Sequence, residues 1–228
     1  MALKDTKLAI FDMDGLLIES ERLIAEHWMK LAERDGLDRD KVWAACLGSL
    51  GVTPEKVREV AHYYLGADFP YDAYQTEVEE NIRKELNGGP MPVKKGAFEM
   101  LEYLKQAGIP AVVASSNPKH VVKELLGGNG LLPYFTEVFG GDAVTRSKPN
   151  PDLFLHAASS MGADPANCLV FEDSFNGIRA AHAAGMMSIM VPDLLQPTEE
   201  ISALYTAKAD DLGAAARMLQ EAFLNGIE

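Results

Sequence analysis

The sequence predicts an α/β protein, a parallel sheet covered by helices on both faces, with an all-helical module inserted after the first strand. Two observations carry this. Four short apolar runs alternate with segments of helical period, and strands alternating with helices build parallel sheets buried on both sides. Between the first two runs, from about Ser20 to Leu86, only helical patterns occur.

The first run is Lys7-Leu8-Ala9-Ile10-Phe11, short and ended by Asp12-Met13-Asp14-Gly15, as a buried strand would be. The inserted module then shows Ile24, Trp28 and Leu31 on one helix face. Val57, Val60, Ala61 and Tyr64 follow a Thr53-Pro54 start, and Val78, Ile82 and Leu86 complete it. Gly15-Leu16-Leu17 and the turn-rich Asn87-Gly88-Gly89-Pro90-Met91-Pro92 serve as outgoing and return hinges. Trp28, Tyr63, Tyr64, Tyr71 and Tyr74 are expected to form the small core of this module, with one or two at a substrate entrance.

Ala97, Met100, Leu101 and Leu104 predict a helix closed by Gly108. The strand Ala111-Val112-Val113-Ala114 comes next. Phe154, Ala157, Ala158 and Met161 predict a helix with Asn150 as N-cap and Pro151 as its first residue. Strands Cys168-Leu169-Val170-Phe171 and Met187-Ser188-Ile189-Met190-Val191 follow, and Leu212, Ala215, Ala216, Leu219 and Phe223 form a closing amphipathic helix.

Bulk properties narrow the function. The chain has 228 residues and a formal charge of −13, opposite to the balance of a nucleic-acid or anionic-membrane surface. No apolar stretch is long enough to span a bilayer, and the start has no signal-peptide pattern. Cys46 and Cys168 lie far apart, which predicts free thiols in a cytoplasmic protein. The five histidines are scattered without ligand spacing, so surface or partly buried helix positions are expected.

Ligands in open α/β sheets bind outside the carboxyl ends of the strands. Asp12 and Asp14 follow the first run, Ser115, Ser116 and Asn117 the second, and Glu172 and Asp173 the third; Lys148 precedes the helix at Pro151. Carboxylates gathered at one sheet edge repel one another unless a cation joins them, and Mg²⁺ favours such oxygen ligands. One carboxylate can attack phosphorus, a second can move the proton, and a lysine and a hydroxyl can hold phosphoryl oxygens. Each piece has a plainer explanation: a turn, a helix cap, a solvated lysine, a helix-start charge pair. Their conjunction at successive strand ends favours chemistry.

With these residues in view, the chain resembles the haloacid dehalogenase superfamily over essentially its whole length. Phe11-Asp12-Met13-Asp14-Gly15 matches the first motif, Ser115 the second, and Lys148 within Ser147-Lys148-Pro149-Asn150-Pro151-Asp152 the third. Phe171-Glu172-Asp173-Ser174, with Asn176-Gly177-Ile178 and Ala183-Ala184-Gly185-Met186, matches the fourth. The insert is similar to the cap of the subgroup of β-phosphoglucomutase and many sugar-phosphate phosphatases. The resemblance implies a Rossmann-like core of residues 1–16 and 88–228 and a helical cap of residues 17–87. It implies Asp12 as nucleophile and Asp14 as general acid, then base. Ser115 would hold a phosphoryl oxygen with N–H groups near Ser116 and Asn117, and Lys148 would neutralise charge. Mg²⁺ would be held by Asp12, the Asp14 carbonyl and Asp173, with Glu172 acting through water or by orienting Lys148. Ser20, Glu21 and the loop Leu47-Gly48-Ser49-Leu50-Gly51 are candidates for cap-side substrate contacts.

The expected activity is Mg²⁺-dependent removal of phosphate from a small phosphorylated metabolite, a sugar phosphate first among them. The protein would act as a monomer or weak dimer without nucleic-acid or membrane partners. The rival is a phosphosugar mutase, whose cap carries a first-helix histidine and basic loop residues. Here those positions show Ile24 and a loop without any basic residue. A dehalogenase is disfavoured by the acid/base Asp14, and a receiver domain by the position of Asp12 after the first strand and by the cap. A phosphate-binding pseudoenzyme is disfavoured by the intact catalytic set.

Overall fold

The computed structural model describes residues 2–225. Strand β1 is Leu8–Phe11, and four helices follow it directly: α1 Ser20–Asp35, α2 Arg39–Gly48, α3 Pro54–Leu65 and α4 Tyr71–Glu85. Then come α5 Ala97–Ala107, β2 Ala111–Ala114, α6 Lys119–Gly128, β3 Glu137–Phe139 and α7 Asp152–Ser160. The chain ends with β4 Cys168–Glu172, α8 Phe175–Ala183, β5 Met187–Met190, α9 Glu199–Ser202, β6 Ala207–Lys208 and α10 Leu212–Asn225.

All six strands are parallel, in the order β3-β2-β1-β4-β5-β6. This is the α/β Rossmann-like sheet with a helical insertion. Side-chain alternation sorts each strand between two cores. Ala9, Phe11, Val113 and Phe171 face α5, α6 and α10. Leu8, Ile10, Val112 and Val170 face α7 and α8. Phe11 stacks on Phe171 at 4.5 Å between ring centroids, joining the two central strands.

Two strands escape the sequence pattern. β3 has three residues and β6 two, both at sheet edges, too short to show a period. Helix α2 was also unmarked, because its apolar residues do not gather on one face. The helix after Lys148 starts at Asp152, with Pro151 at the N-cap position; Asn150 caps nothing and instead donates its amide to the Ser147 carbonyl at 3.0 Å. Gly108 does close α5, at φ 69°.

The insert has its own core of Trp28, Leu31, Ala32, Val42, Val78 and Ile82, drawn from α1, α2 and α4. Trp28 stacks between Tyr71 and Tyr74, each 5.8 Å away. Tyr63 and Tyr64 depart from expectation: both lie outside this core, and Tyr63 is 82% exposed. His27, expected at a surface or partly buried helix position, is buried, with Nε2 3.1 Å from Glu85 Oε2. The connections between insert and sheet run side by side. Ile18 bridges to Val93, Glu19 N–H donates to Pro92 O at 2.9 Å, and Lys94 N–H donates to Leu17 O at 2.9 Å.

Candidate active site

Strand register assembles the site. Phe11 lies opposite both Val113 and Phe171, so the residues following β1, β2 and β4 emerge together at one edge, where the strand order reverses. Asp12 is tied there by its N–H to the Phe171 carbonyl at 3.1 Å. Lys148 arrives from the loop between β3 and α7, and its stem is 2% exposed, with the ammonium 4.8 Å from the Phe154 ring centre.

Lys148 Nζ donates to Asp12 Oδ1 at 2.6 Å and to Glu172 Oε1 at 2.7 Å. The other Glu172 oxygen accepts from Ser174 N–H at 2.7 Å and from Ser174 Oγ at 2.9 Å. Both Glu172 oxygens are therefore engaged, which suits a residue that orients the lysine. Gly177 is required beside it, since a Cβ there would collide with the Glu172 carboxylate. Burial alone would lower the Lys148 pKa, but the Asp12 and Glu172 carboxylates outweigh it and hold the ammonium charged.

Asp14 is held from three sides. Ser20 Oγ donates to Oδ1 at 2.6 Å; Asn117 Nδ2 and Ser115 Oγ donate to Oδ2 at 2.8 and 3.4 Å. Burial raises the Asp14 pKa, and the bonds from Ser20 and Asn117 pull against that rise. A carboxyl group so balanced can carry a proton and release it. Ser115 is fully buried and accepts the Asn117 N–H at 3.2 Å, while Ser116 and Asn117 form the adjoining cavity wall.

A divalent cation fits the carboxylate cluster at this edge. Oxygens of Asp12, Glu172 and Asp173 lie within 4.8 Å of one another, and Asp173 Oδ1 is buried without a hydrogen-bond partner. Burial pushes the Asp12 carboxyl up to about 7, with Lys148 opposing and Glu172 adding to the rise. Asp173 is pushed well above the usual carboxylate range by burial and by Glu21. An all-oxygen set of this kind suits Mg²⁺, whose charge would oppose those rises.

Glu21 reaches this set from α1. Its carboxylate is buried against Asp173, one oxygen lacks a partner, and burial followed by Asp14 raises its pKa strongly. Gly15, at φ 75°, makes room for both groups, because a Cβ would strike each carboxylate. The cap loop also docks on the sheet edge: Ser116 Oγ donates to Gly51 O at 3.0 Å and Asn176 Nδ2 to Leu50 O at 3.1 Å. The structure thus brings together all ten candidate residues, and adds three that sequence reasoning left without a role: Ser174, Asn176 and Gly177. Their place in the fourth motif match was the signal that could have marked them.

Above the carboxylates lies a cavity of about 450 Å³, within the range of small-molecule sites. Asp12, Asp14, Ser20 and Glu21 form its floor and Ile24, Trp28 and Val57 part of its roof. Among the described residues no helix is long and apolar enough to cross a membrane.

Known proteins resemble this chain. The validoxylamine A 7′-phosphate phosphatase of Streptomyces hygroscopicus subsp. limoneus is 33% identical over 184 residues, covering 80% of this chain and 84% of that protein. Hexitol phosphatase B of Escherichia coli K12 is 31% identical over 186 residues, 81% of this chain and 82% of its own. The β-phosphoglucomutase of Clostridium difficile, at 19% identity, shares the fold alone, with a TM-score of 0.74 over 97% of this chain and 98% of that one. The family model for haloacid dehalogenase-like hydrolase matches residues 6–185, the span that runs from the first strand through every side chain of the buried cluster. The chain therefore belongs to the haloacid dehalogenase-like hydrolases, and it carries their helical cap.

Proposed function

We propose that the protein is a Mg²⁺-dependent phosphatase that hydrolyses a small phosphate monoester through a phospho-aspartate on Asp12. The observation that carries this is the Asp12–Lys148–Glu172 chain beside the cradled Asp14, since it supplies a nucleophile, a fixed cation and a proton carrier within one pocket. Asp12 attacks phosphorus; Asp14 gives its proton to the leaving alcohol oxygen, then takes one from the water that cleaves the acyl phosphate. Lys148 and the N–H groups near Ser116 and Asn117 hold phosphoryl oxygens. Asp12, the Asp14 carbonyl and Asp173 would hold Mg²⁺, which when bound supplies positive charge to the phosphoryl group.

We assign residues 17–87 as the cap that excludes water and residues 1–16 and 88–228 as the catalytic core. Sugar or polyol phosphates are the substrate class we favour, supported by the relative named as a hexitol phosphatase. The mutase alternative is weakened by the cavity itself. Arg58 is the one lysine, arginine or histidine among the residues lining it, and its guanidinium is already bonded to Asp72 at 2.6 Å.

The test is phosphate release with Mg²⁺ across sugar, polyol and nucleotide monophosphates, with β-glucose 1-phosphate also scored for conversion to glucose 6-phosphate. Asp12→Asn is expected to lower turnover by at least about 10⁴-fold with the fold intact, and chelation to stop it. Substantial residual activity in Asp12→Asn would sink the nucleophile assignment, and isomerisation without phosphate loss would restore the mutase.

A further inference from the structure

The cavity has two unlike ends. Its floor at the sheet edge is polar, built from Asp12, Asp14, Glu21 and Asn117. Its far end lies inside the cap and is walled by Ile24, Trp28, Val42, Val57, Ala61 and Leu65. Helix α3 explains the second end. Ala61 is its single buried residue; α3 packs on α2 through Val60 and Tyr64, while Val57, Ala61 and Leu65 line the cavity.

Most polar side chains at that end are already engaged, the Tyr71 hydroxyl being the exception. Gln75 Oε1 accepts from Trp28 Nε1 at 3.2 Å, and Gln75 Nε2 donates to Glu79 at 2.9 Å. Ser49 Oγ donates to Ala45 O at 2.8 Å, and Arg58 is held by Asp72 through two N–H groups at 2.6 and 3.1 Å. A hydroxyl pushed against the Val57 and Ala61 side chains would lose water to hydrocarbon, which is costly. A second phosphate would meet no free cation. An apolar group would release water from both surfaces and gain from it. The volume, on the order of fifteen waters at about 30 Å³ each, leaves room beyond a phosphoryl group and a short polyol.

We propose that the natural substrate is amphiphilic: a phosphate monoester whose alcohol carries an apolar aryl or alkyl group, seated between α1, α2 and α3. The polyol part, where present, lies near Glu21 and Asn117, and the apolar part points away from phosphorus. This rests on the phosphatase reading above and refines it.

The experiment compares kcat/KM of the Mg²⁺-loaded enzyme for glucose 6-phosphate, benzyl glucoside 6-phosphate and fructose 1,6-bisphosphate. The benzyl glucoside is expected to exceed glucose 6-phosphate at least tenfold, chiefly through KM, with the bisphosphate poorest. Equal or better turnover of glucose 6-phosphate would overturn the amphiphilic substrate and leave the phosphatase intact. Release from none of the three, nor from any other monoester, would overturn the phosphatase reading and this one with it. In Ala61→Phe the new ring fills the apolar end, so the ratio of the two glucose esters should fall toward one. Val57→Thr, nearly isosteric, should lower the same ratio about threefold even if Ala61→Phe does not fold. An unchanged ratio in either folded variant would show that the apolar group binds elsewhere and overturn the proposal.

Discussion

The catalytic edge of the sheet and the interior of the cap line one cavity, yet they are built on opposite principles. At the sheet edge most polar atoms have a fixed partner, one oxygen each of Glu21 and Asp173 excepted: Lys148 bridges Asp12 and Glu172, Ser174 saturates Glu172, and Ser20 and Asn117 grip Asp14. In the cap the cavity wall is mostly hydrocarbon, and α3 packs on α2 while presenting Val57 and Ala61 to the cavity. Charge stabilisation of phosphoryl transfer needs preorganised dipoles, because reorienting them during reaction would cost the energy they supply. Selection of an apolar group needs only shape and dryness, which packing alone can set.

This contrast can be broken at Lys148 with the largest effect. Lys148→Met strands two buried carboxylates, so stability should fall by about 3–5 kcal/mol in chemical unfolding, with phosphatase activity lost. A loss below about 1 kcal/mol would mean the edge tolerates rearrangement and is not preorganised. A substitution of similar volume in the cap wall should cost far less.

The seam between the two regions is the next target. Asn176→Ala removes the hydrogen bond to Leu50 O while leaving every carboxylate in place. One neutral hydrogen bond contributes about 1 kcal/mol, so kcat/KM should fall about fivefold, and combining it with Ser116→Ala should fall further. An unchanged kcat/KM in the double variant would show that loop docking is incidental to closure.

The smallest effect sharpens the contrast by removing the cation. In the metal-free protein burial raises Asp12 from 3.8 to about 7 and raises Glu21 and Asp173 as well. The folded state then holds protons that the unfolded chain releases. The stability this contributes is complete below the unfolded carboxylate value and is lost as pH rises through the folded one. Thermal stability without metal should therefore decline as pH rises from about 4 through about 7, relative to Glu21→Gln, which lacks one of the repelling charges. Mg²⁺ should cancel the difference. A wild-type melting temperature that tracks Glu21→Gln across this range would show that the carboxylates do not share one strained site.

How much could be read in advance follows from the range of each signal. β1, β2, β4 and β5 are central enough to be continuous apolar runs, so they stood out; β3 and β6 are edge strands of three and two residues and did not. Helix α3 shows the opposite failure. Val57, Val60, Ala61 and Tyr64 have the period of a core-facing helix, but a face bordering a cavity has that same period. The expected entrance aromatics split for a similar reason: Trp28 and Tyr71 line the cavity, while Tyr63 points to solvent.

By itself the sequence determined the α/β class, the helical insertion, and the residues that meet at the sheet edge. Those follow from local periodicity and from the rule that parallel strands present their carboxyl ends on one side. Tertiary structure alone decided that Glu21 of the cap meets Asp173 of the core, that Ser174 occupies Glu172, and that α3 leaves a space. Such facts depend on how separate elements dock, and docking is set by side-chain volumes summed across helices far apart in the chain, which no local pattern records.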